Sequence, residues 1–376
     1  MLASFIGLVS VALSLSGFGV SPNPNAPVGA AVLAYAPSSA DVMIYVDVEA
    51  VAPRNFKALV SLADDPAMAQ APELRRELKS AVGQLQMGLG MVRGATGLDL
   101  VNDVKSVALW LQFPLRGEPN LLIHVRGNFP SDLIGKIANA SGQQVVRVAR
   151  RQAIRIDGKM LLTTARDGSL LFGTPRLVKR RARSGPRRAR ARGGVVGVRA
   201  RRLLDRKPFF AMVSSPSRTA LGRLSREFGR QDNALSDLIS GHRFAGFAMY
   251  SRGVEWSYVA KKASGIARAK MASQGILQLM RASHLAGRGL ANLLLSAVDS
   301  YRGQSPEIDS IIKAKPQILE LIEQFTGDGK FNEKITIDRR ARSVRVTAYG
   351  RSLSDVMPFA GALPLGAGVG WLMLAH

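Results

Sequence analysis

The chain has 376 residues, 47% of them apolar and 21% charged, and carries a formal net charge of +25. That length and composition fit one large or two ordinary globular domains and exclude a disordered or collagen-like chain. With no cysteine present, disulfides, thiolate metal sites, a cysteine nucleophile and a lipid-modified N-terminal cysteine are all excluded.

No charged side chain precedes Asp41. Leu2 to Val20 is apolar and rich in small residues, a Pro/Asn-rich stretch follows, and "AVLAYA" ends at Ala36 in an Ala-x-Ala pattern. Residues 1–36 are therefore expected to be an export signal or N-terminal anchor, although no Lys or Arg stands ahead of the apolar run. In "DVMIYVDVEA" Val42, Ile44, Val46 and Val48 alternate with Met43, Tyr45 and Asp47, which predicts a half-buried strand. Pro53 opens helix-like sequence, and Leu74, Leu78, Val82 and Leu85 predict a second helix from Glu73 to Val92, with Gly97 ending the region. "KSVALWLQF" and "LLIHVRGNF" flank the turn "RGEPN" as a hairpin, and "PSDLIGKIANA" follows as a helix. Four short strands come next ("QVVRVA", "QAIRID", "KMLLTTA", "SLLFGT"), separated by turns at Asp157-Gly158 and Asp167-Gly168, and "TPRLVK" reads as a short helix.

From Pro208 the order repeats. "PFFAMVSS" is a strand, Arg218 to Phe228 is helical, and "RFAGFAMYSRGVEWSYVAKK" is a hairpin turning at Arg252-Gly253. "SGIARAKMASQGILQLMRA" is a helix, two more fit Leu290 to Tyr301 and Pro306 to Phe325, and "KITID" pairs with "SVRVTAYG" as a last hairpin. The uncharged stretch from Val356 to Ala375 is long enough to span a bilayer but holds Pro358, Pro364 and four glycines. The expected fold is α+β: two similar units with mostly antiparallel sheets packed by helices, joined by a basic flexible linker. The boundaries drawn are 1–36 for the signal or anchor, 37–178 for the first unit, 179–207 for the linker, 208–353 for the second unit and 354–376 for an apolar tail or weak membrane segment.

The strand "ADVMIYVDV", then "TGLDLVNDVKSVALWL" and "LLIHVRGNF", behind an apolar N-terminal segment, resemble a group of bacterial envelope proteins of unassigned activity. In that group a duplicated α+β unit follows an export signal. The resemblance implies an extracytoplasmic place, in the periplasm or cell envelope and with a membrane anchor if the signal is kept. It supplies no catalytic signature.

Arg176 to Lys207 holds fourteen Lys or Arg and a single acid, Asp205. Its core, Lys179, Arg180, Arg181, Arg183, Arg187, Arg188, Arg190 and Arg192, shows no apolar periodicity and is expected to repel itself and stay solvated. These eight residues are the candidate polyanion site, since clustered arginines neutralise phosphates and release counterions. The expected partner is an anionic membrane surface or a cell-envelope polymer. Nucleic acid is disfavoured, because the run lacks the aromatics on which bases stack. Arg, Ala, Gly and Pro also share GC-rich codons, so a reading-frame shift is a third origin for the run.

Chemistry-bearing patterns are sparse. His124, His242, His284 and His376 have no His or carboxylate at ligand spacing. Gly88 to Gly94 lacks the strand-before, helix-after context of a dinucleotide loop. Ser310-Ile311-Ile312-Lys313 matches S-x-x-K without its companion motifs. Gly327 to Glu333 lacks the closing acid of a calcium loop, and Asp64-Asp65 reads as a helix stop. No catalytic, cofactor or metal site is expected. The functional expectation is a non-catalytic exported or envelope-associated binding or structural protein. The alternatives are a hydrolase whose site is assembled from distant residues and a polyanion binder working through the Arg-rich run.

Overall fold

A computed structural model describes residues 29–62, 64, 72–114, 116–186, 197–221, 241–299, 302–303, 312, 315–316, 329–353 and 355–356. The fold is α+β, built on a twelve-stranded sheet in which every pairing is antiparallel. In chain order, α1 (Gly29–Val32) and a 3-10 turn (Leu33–Tyr35) precede β1 (Val42–Asp47), α2 (Val48–Leu62) and α3 (Pro72–Thr96). Then come β2 (Val104–Gln112), β3 (Asn120–Gly127), α4 (Leu133–Ser141), β4 (Val145–Val148), β5 (Arg151–Ile156), β6 (Met160–Thr164), β7 (Leu170–Gly173) and α5 (Pro175–Ser184). The remainder is α6 (Val198–Leu204), β8 (Phe210–Ser214), β9 (His242–Tyr250), β10 (Gly253–Ala260), α7 (Ser264–Asp299), β11 (Asn332–Asp338) and β12 (Ser343–Tyr349).

The strands lie in the order β11-β12-β10-β9-β8-β1-β2-β3-β7-β6-β5-β4. The two expected sheets are thus one, because β1 and β8 pair directly at its middle, Val42 opposite Ser214 and Val46 opposite Phe210. The carboxylate of Asp41, 1% exposed, fastens this seam. It accepts the Phe113 N–H at 2.8 Å beyond β2 and the Ser217 N–H at 2.6 Å beyond β8. The hairpin β2–β3 lies outward of β1 on one side, and the hairpin β9–β10 lies outward of β8 on the other. Further out the sides differ: β7, β6, β5 and β4 complete one, β12 and β11 the other.

Period-2 alternation sends successive residues to opposite faces. The front face presents Val46, Val107, Ile123, Val125, Phe172, Phe210, Val254 and Val346 to α2, α3, α4 and α7. The back face presents Met43, Tyr45, Trp110, Leu122, Leu171 and Val213 to α1, α5 and α6. Local signals set the helices. Asp47 caps α2, its carboxylate accepting the Ala50 N–H at 3.2 Å, so that helix starts at the end of β1 and carries Pro53 inside it. Gly97, at φ +73°, closes α3 by donating to Arg93 O at 2.7 Å. The two helices expected between Ser264 and Tyr301 are joined in α7, 36 residues long, or about 54 Å.

Two expected boundaries move. Val32, Leu33, Tyr35 and Ala36 are buried in the back core, so this stretch packs as part of the folded layer. Asp205 ties it down by accepting the Gly29 N–H at 2.9 Å. The rest of the expected signal, residues 1–28, lies outside the described residues, as does the tail after Val356. The second correction concerns the 179–207 linker. Lys179 to Ser184 complete α5 and Val198 to Leu204 form α6, both packed on the back face. Leu177, Val178, Arg181 and Ala182 make a buried stripe at i, i+1, i+4 and i+5, a helical period that the surrounding arginines conceal in the sequence. Pro175 at the first helical position and Thr174, whose hydroxyl oxygen accepts the Leu121 N–H at 2.9 Å, fix where the helix starts.

Candidate ligand-binding site

The front face is not filled everywhere. Between β3, β5, β6 and β7 below and α3 and α4 above lies a cavity of about 460 Å³. Val92 from α3, Ile123 and Val125 from β3, Leu133 and Ile137 from α4, and Leu162 from β6 set its apolar wall, with Phe129 and Phe172 among the other lining groups. Pockets that hold small ligands run to roughly 300–1,000 Å³ with a mostly apolar lining and a few polar groups, and this one fits that description. Four of its lining residues are polar: Thr96, Ser141, Gln143 and Asp157. Thr96 is spoken for locally, donating to Val92 O at 2.6 Å and accepting the Leu98 N–H at 3.2 Å.

The walls are unequal. β3, β5, β6 and β7 are interior members of the sheet and hold Ile123, Ile154, Leu162 and Phe172 in fixed register. β7 approaches β3 closely because Gly173, at φ +145°, has no side chain where Leu121 O sits. The roof is softer. α3 carries Gly83, Gly88, Gly90 and Gly94, and at each an added Cβ would meet nothing within 4 Å. Packing does not require these glycines, and each costs the helix about 1 kcal/mol relative to alanine. The outer side of α3 keeps Met87 and Met91 in water, 62% and 64% exposed.

The back face holds the polar chemistry. His124 Nε2 lies 2.8 Å from Ser169 Oγ, and the Ser169 hydroxyl donates to Asp167 Oδ1 at 2.5 Å. Because that proton is directed at Asp167, the imidazole donates to Ser169 rather than receiving from it, the reverse of what a nucleophilic serine needs. His124 is 2% exposed between the rings of Tyr35 (4.5 Å) and Trp110 (6.2 Å), and burial pushes its pKa down to about 4. Desolvation works to raise Asp167, yet hydrogen bonds from the Ser169 hydroxyl and N–H hold its carboxyl below the usual range. A second pair, Ser214 Oγ and His242 Nε2, stands 3.1 Å apart across β8 and β9. Neither pair lines the front cavity. Glu255, also buried, accepts two hydrogen bonds from Arg345 at 2.8 and 3.1 Å and a further one from Arg206.

The structure divides the predicted polyanion residues. Lys179, Arg180 and Arg183 are exposed on the outer side of α5, Arg181 is 2% exposed beneath it, and Arg187, Arg188, Arg190 and Arg192 lie outside the described residues. Arg176 on α5 and Arg199, Arg201 and Arg202 on α6 join the exposed set. Of the histidines, His124 is within β3, His242 opens β9 and His284 is buried in α7, while His376 falls outside the described residues. Gly88 to Gly94 is helix, Asp64 pairs with Lys79 at 2.9 Å, and Gly329 to Glu333 run into β11. Of the S-x-x-K match only Ile312 is described, so that pattern too lies outside. Among the described residues, no group of three or more His, Asp or Glu could hold a metal ion, and no helix is long and apolar enough to cross a membrane. The cavity itself went unread in the sequence, since its lining comes from segments between Val92 and Phe172 that only the fold brings together.

No protein-family model matches the chain, and no curated protein matches it. A solved structure titled "Structure of crystal form I of TP0453" aligns over 92% of this chain and 98% of that one, at 9% identity and a TM-score of 0.35. Likeness of that degree leaves fold and function to be read from the chain itself.

Proposed function

We propose that the protein is a non-catalytic binding protein of the bacterial envelope whose ligand is a small, largely apolar molecule held between the sheet and helices α3 and α4. The observation that carries this reading is the cavity of about 460 Å³, apolar on nearly every side and set on a rigid sheet. The uncharged N-terminal sequence and the resemblance to envelope proteins with a duplicated α+β unit support the compartment. Apolar burial drives such binding at about 25 cal/mol per Å² removed from water, before the cost of immobilising the ligand.

The test uses the uncharged dye N-phenyl-1-naphthylamine, whose fluorescence rises in apolar surroundings. Saturable one-to-one binding is expected. Ile137→Trp, which fills the cavity from α4, is expected to weaken it at least tenfold with the unfolding midpoint unchanged. Leu279→Ser removes an exposed leucine on α7 and is expected to leave binding intact. Equal affinity in wild type and Ile137→Trp would refute the proposal.

A second reading is favoured by the placement of charge. α5 and α6 together expose Arg176, Lys179, Arg180, Arg183, Arg199, Arg201 and Arg202 on one layer. That layer suits an anionic lipid surface, at about 1 kcal/mol per basic residue near the membrane. Sedimentation with vesicles containing phosphatidylglycerol, but not with phosphatidylcholine alone, is expected, and Lys179→Glu with Arg180→Glu and Arg183→Glu is expected to abolish it. Sedimentation that is indifferent to these changes would remove this reading.

A further inference from the structure

We infer that the cavity selects a single-chain amphiphile whose polar head is neutral or cationic and donates hydrogen bonds, and that it discriminates against alkyl carboxylates. This inference rests on the proposed apolar binding and names the ligand class for that site.

The cavity is polar at one place. Ser141 and Gln143 stand at the C-terminal end of α4, and Asp157 stands in the β5–β6 turn. Val145 pairs with Ile154, which brings Gln143 beside Ile156 and Asp157. Gln143 and Asp157 are thus close on the rim and Ser141 lines the same cavity from the end of α4, while Thr96 lies toward the α3 end with its hydroxyl engaged. An alkyl chain runs along the apolar wall and its head meets the Ser141–Gln143–Asp157 corner.

The charges at that corner have one sign. Among the described residues Asp157 is the one charged group in the lining, and it is an acid. The carbonyl end of α4 adds partial negative charge at the same place. Ser141 donates its proton to Ile137 O at 2.7 Å and so offers lone pairs to a ligand. Gln143 can serve either a donor or an acceptor. A hydroxyl or ammonium head finds acceptors here, whereas a carboxylate would be set against a carboxylate.

Two lysines of the flanking segments are already engaged with acids. Lys136, at the Gly97 end, pairs with Asp132 at 3.0 Å, and Lys159, after the turn, lies 3.9 Å from Glu118. The large positive charge of the whole chain acts over longer distances and is screened beyond about 8 Å at physiological ionic strength.

The test is displacement of bound N-phenyl-1-naphthylamine by 1-decanol, decylammonium and decanoate at pH 7.5 and 0.15 M salt. Decylammonium and decanol are expected to displace the dye at concentrations at least tenfold below decanoate. Asp157→Asn keeps the positive-φ turn, since asparagine tolerates φ near the +48° seen at Asp157. In that variant decylammonium is expected to weaken relative to decanol, and decanoate to gain several-fold. Decanoate displacing as well as the other two, or a ranking untouched by Asp157→Asn, overturns the head-group selection while leaving apolar binding standing. Dye binding that none of the three can compete with overturns both.

Discussion

The two faces of the sheet are made by the same strands and end up differently. On the back face Trp110, Tyr35, Tyr45, Leu122 and Leu171 are at most 2% exposed beneath α1, α5 and α6. On the front face, β3, β5, β6 and β7 meet a glycine-bearing helix and leave a space of about 460 Å³. One sheet thus carries a closely packed side and a side with an apolar cavity.

Truncation gives the largest contrast between the faces. Leu171→Ala on the back face opens a new cavity in close packing and is expected to cost about 2–5 kcal/mol in denaturant unfolding. Leu162→Ala on the front face enlarges a space already present and is expected to cost about 1–2 kcal/mol. Equal costs would erase the distinction between the two faces.

Acid gives the next effect. Burial holds His124 near pKa 4, below the value of about 6.5 for an unfolded histidine. Between those values the unfolded chain binds a proton that the folded chain refuses. Stability is therefore complete above about pH 6.5 and falls as the pH drops toward 4, by up to about 1.4 kcal/mol per unit and about 3 kcal/mol in all. Unfolding of His124→Gln followed over the same range is expected to lack this component, and a slope identical to wild type would place the proton elsewhere.

The Arg-rich helix sharpens the comparison within a single turn. Arg181→Ala is expected to destabilise by about 2 kcal/mol or more, because its stem packs in the back core. Arg180→Ala, exposed on the same helix, is expected to change stability by less than about 0.5 kcal/mol. Thermal melts of the pair decide whether the run is a structural layer as well as a charged one.

The smallest effect is a gain. Gly90→Ala on α3 meets open space and is expected to stabilise by about 0.5–1 kcal/mol, raising the melting temperature. A loss instead would mean that α3 needs its glycines for packing.

Much of the architecture was legible in the residues. Apolar alternation from Val42 to Val46, the "RGEPN" turn and the Asp157-Gly158 and Asp167-Gly168 turns locate the strands, because alternation and turn chemistry are local properties, although β1 is buried on both faces rather than one and Val48 opens α2. What was not legible depended on distant contacts. The joining of β1 to β8 is a pairing between segments about 170 residues apart, and no local pattern encodes it. The α5 stripe of Leu177, Val178 and Ala182 is short and surrounded by charge, so its density of arginine outweighed its period. Val32 to Tyr35 looked like the end of a leader because small apolar residues serve equally well in a core. The rim of Ser141, Gln143 and Asp157 could not be found because two loops meet there only after the strands pair.

The most direct measurement is a crystal structure of the protein with 10-bromo-1-decanol. Anomalous scattering is predicted to place the bromine inside the front cavity against Ile123, Ile137 and Leu162, with the hydroxyl at Ser141, Gln143 and Asp157. Bromine bound only elsewhere, with the cavity closed by α3 or filled with ordered water, would contradict it.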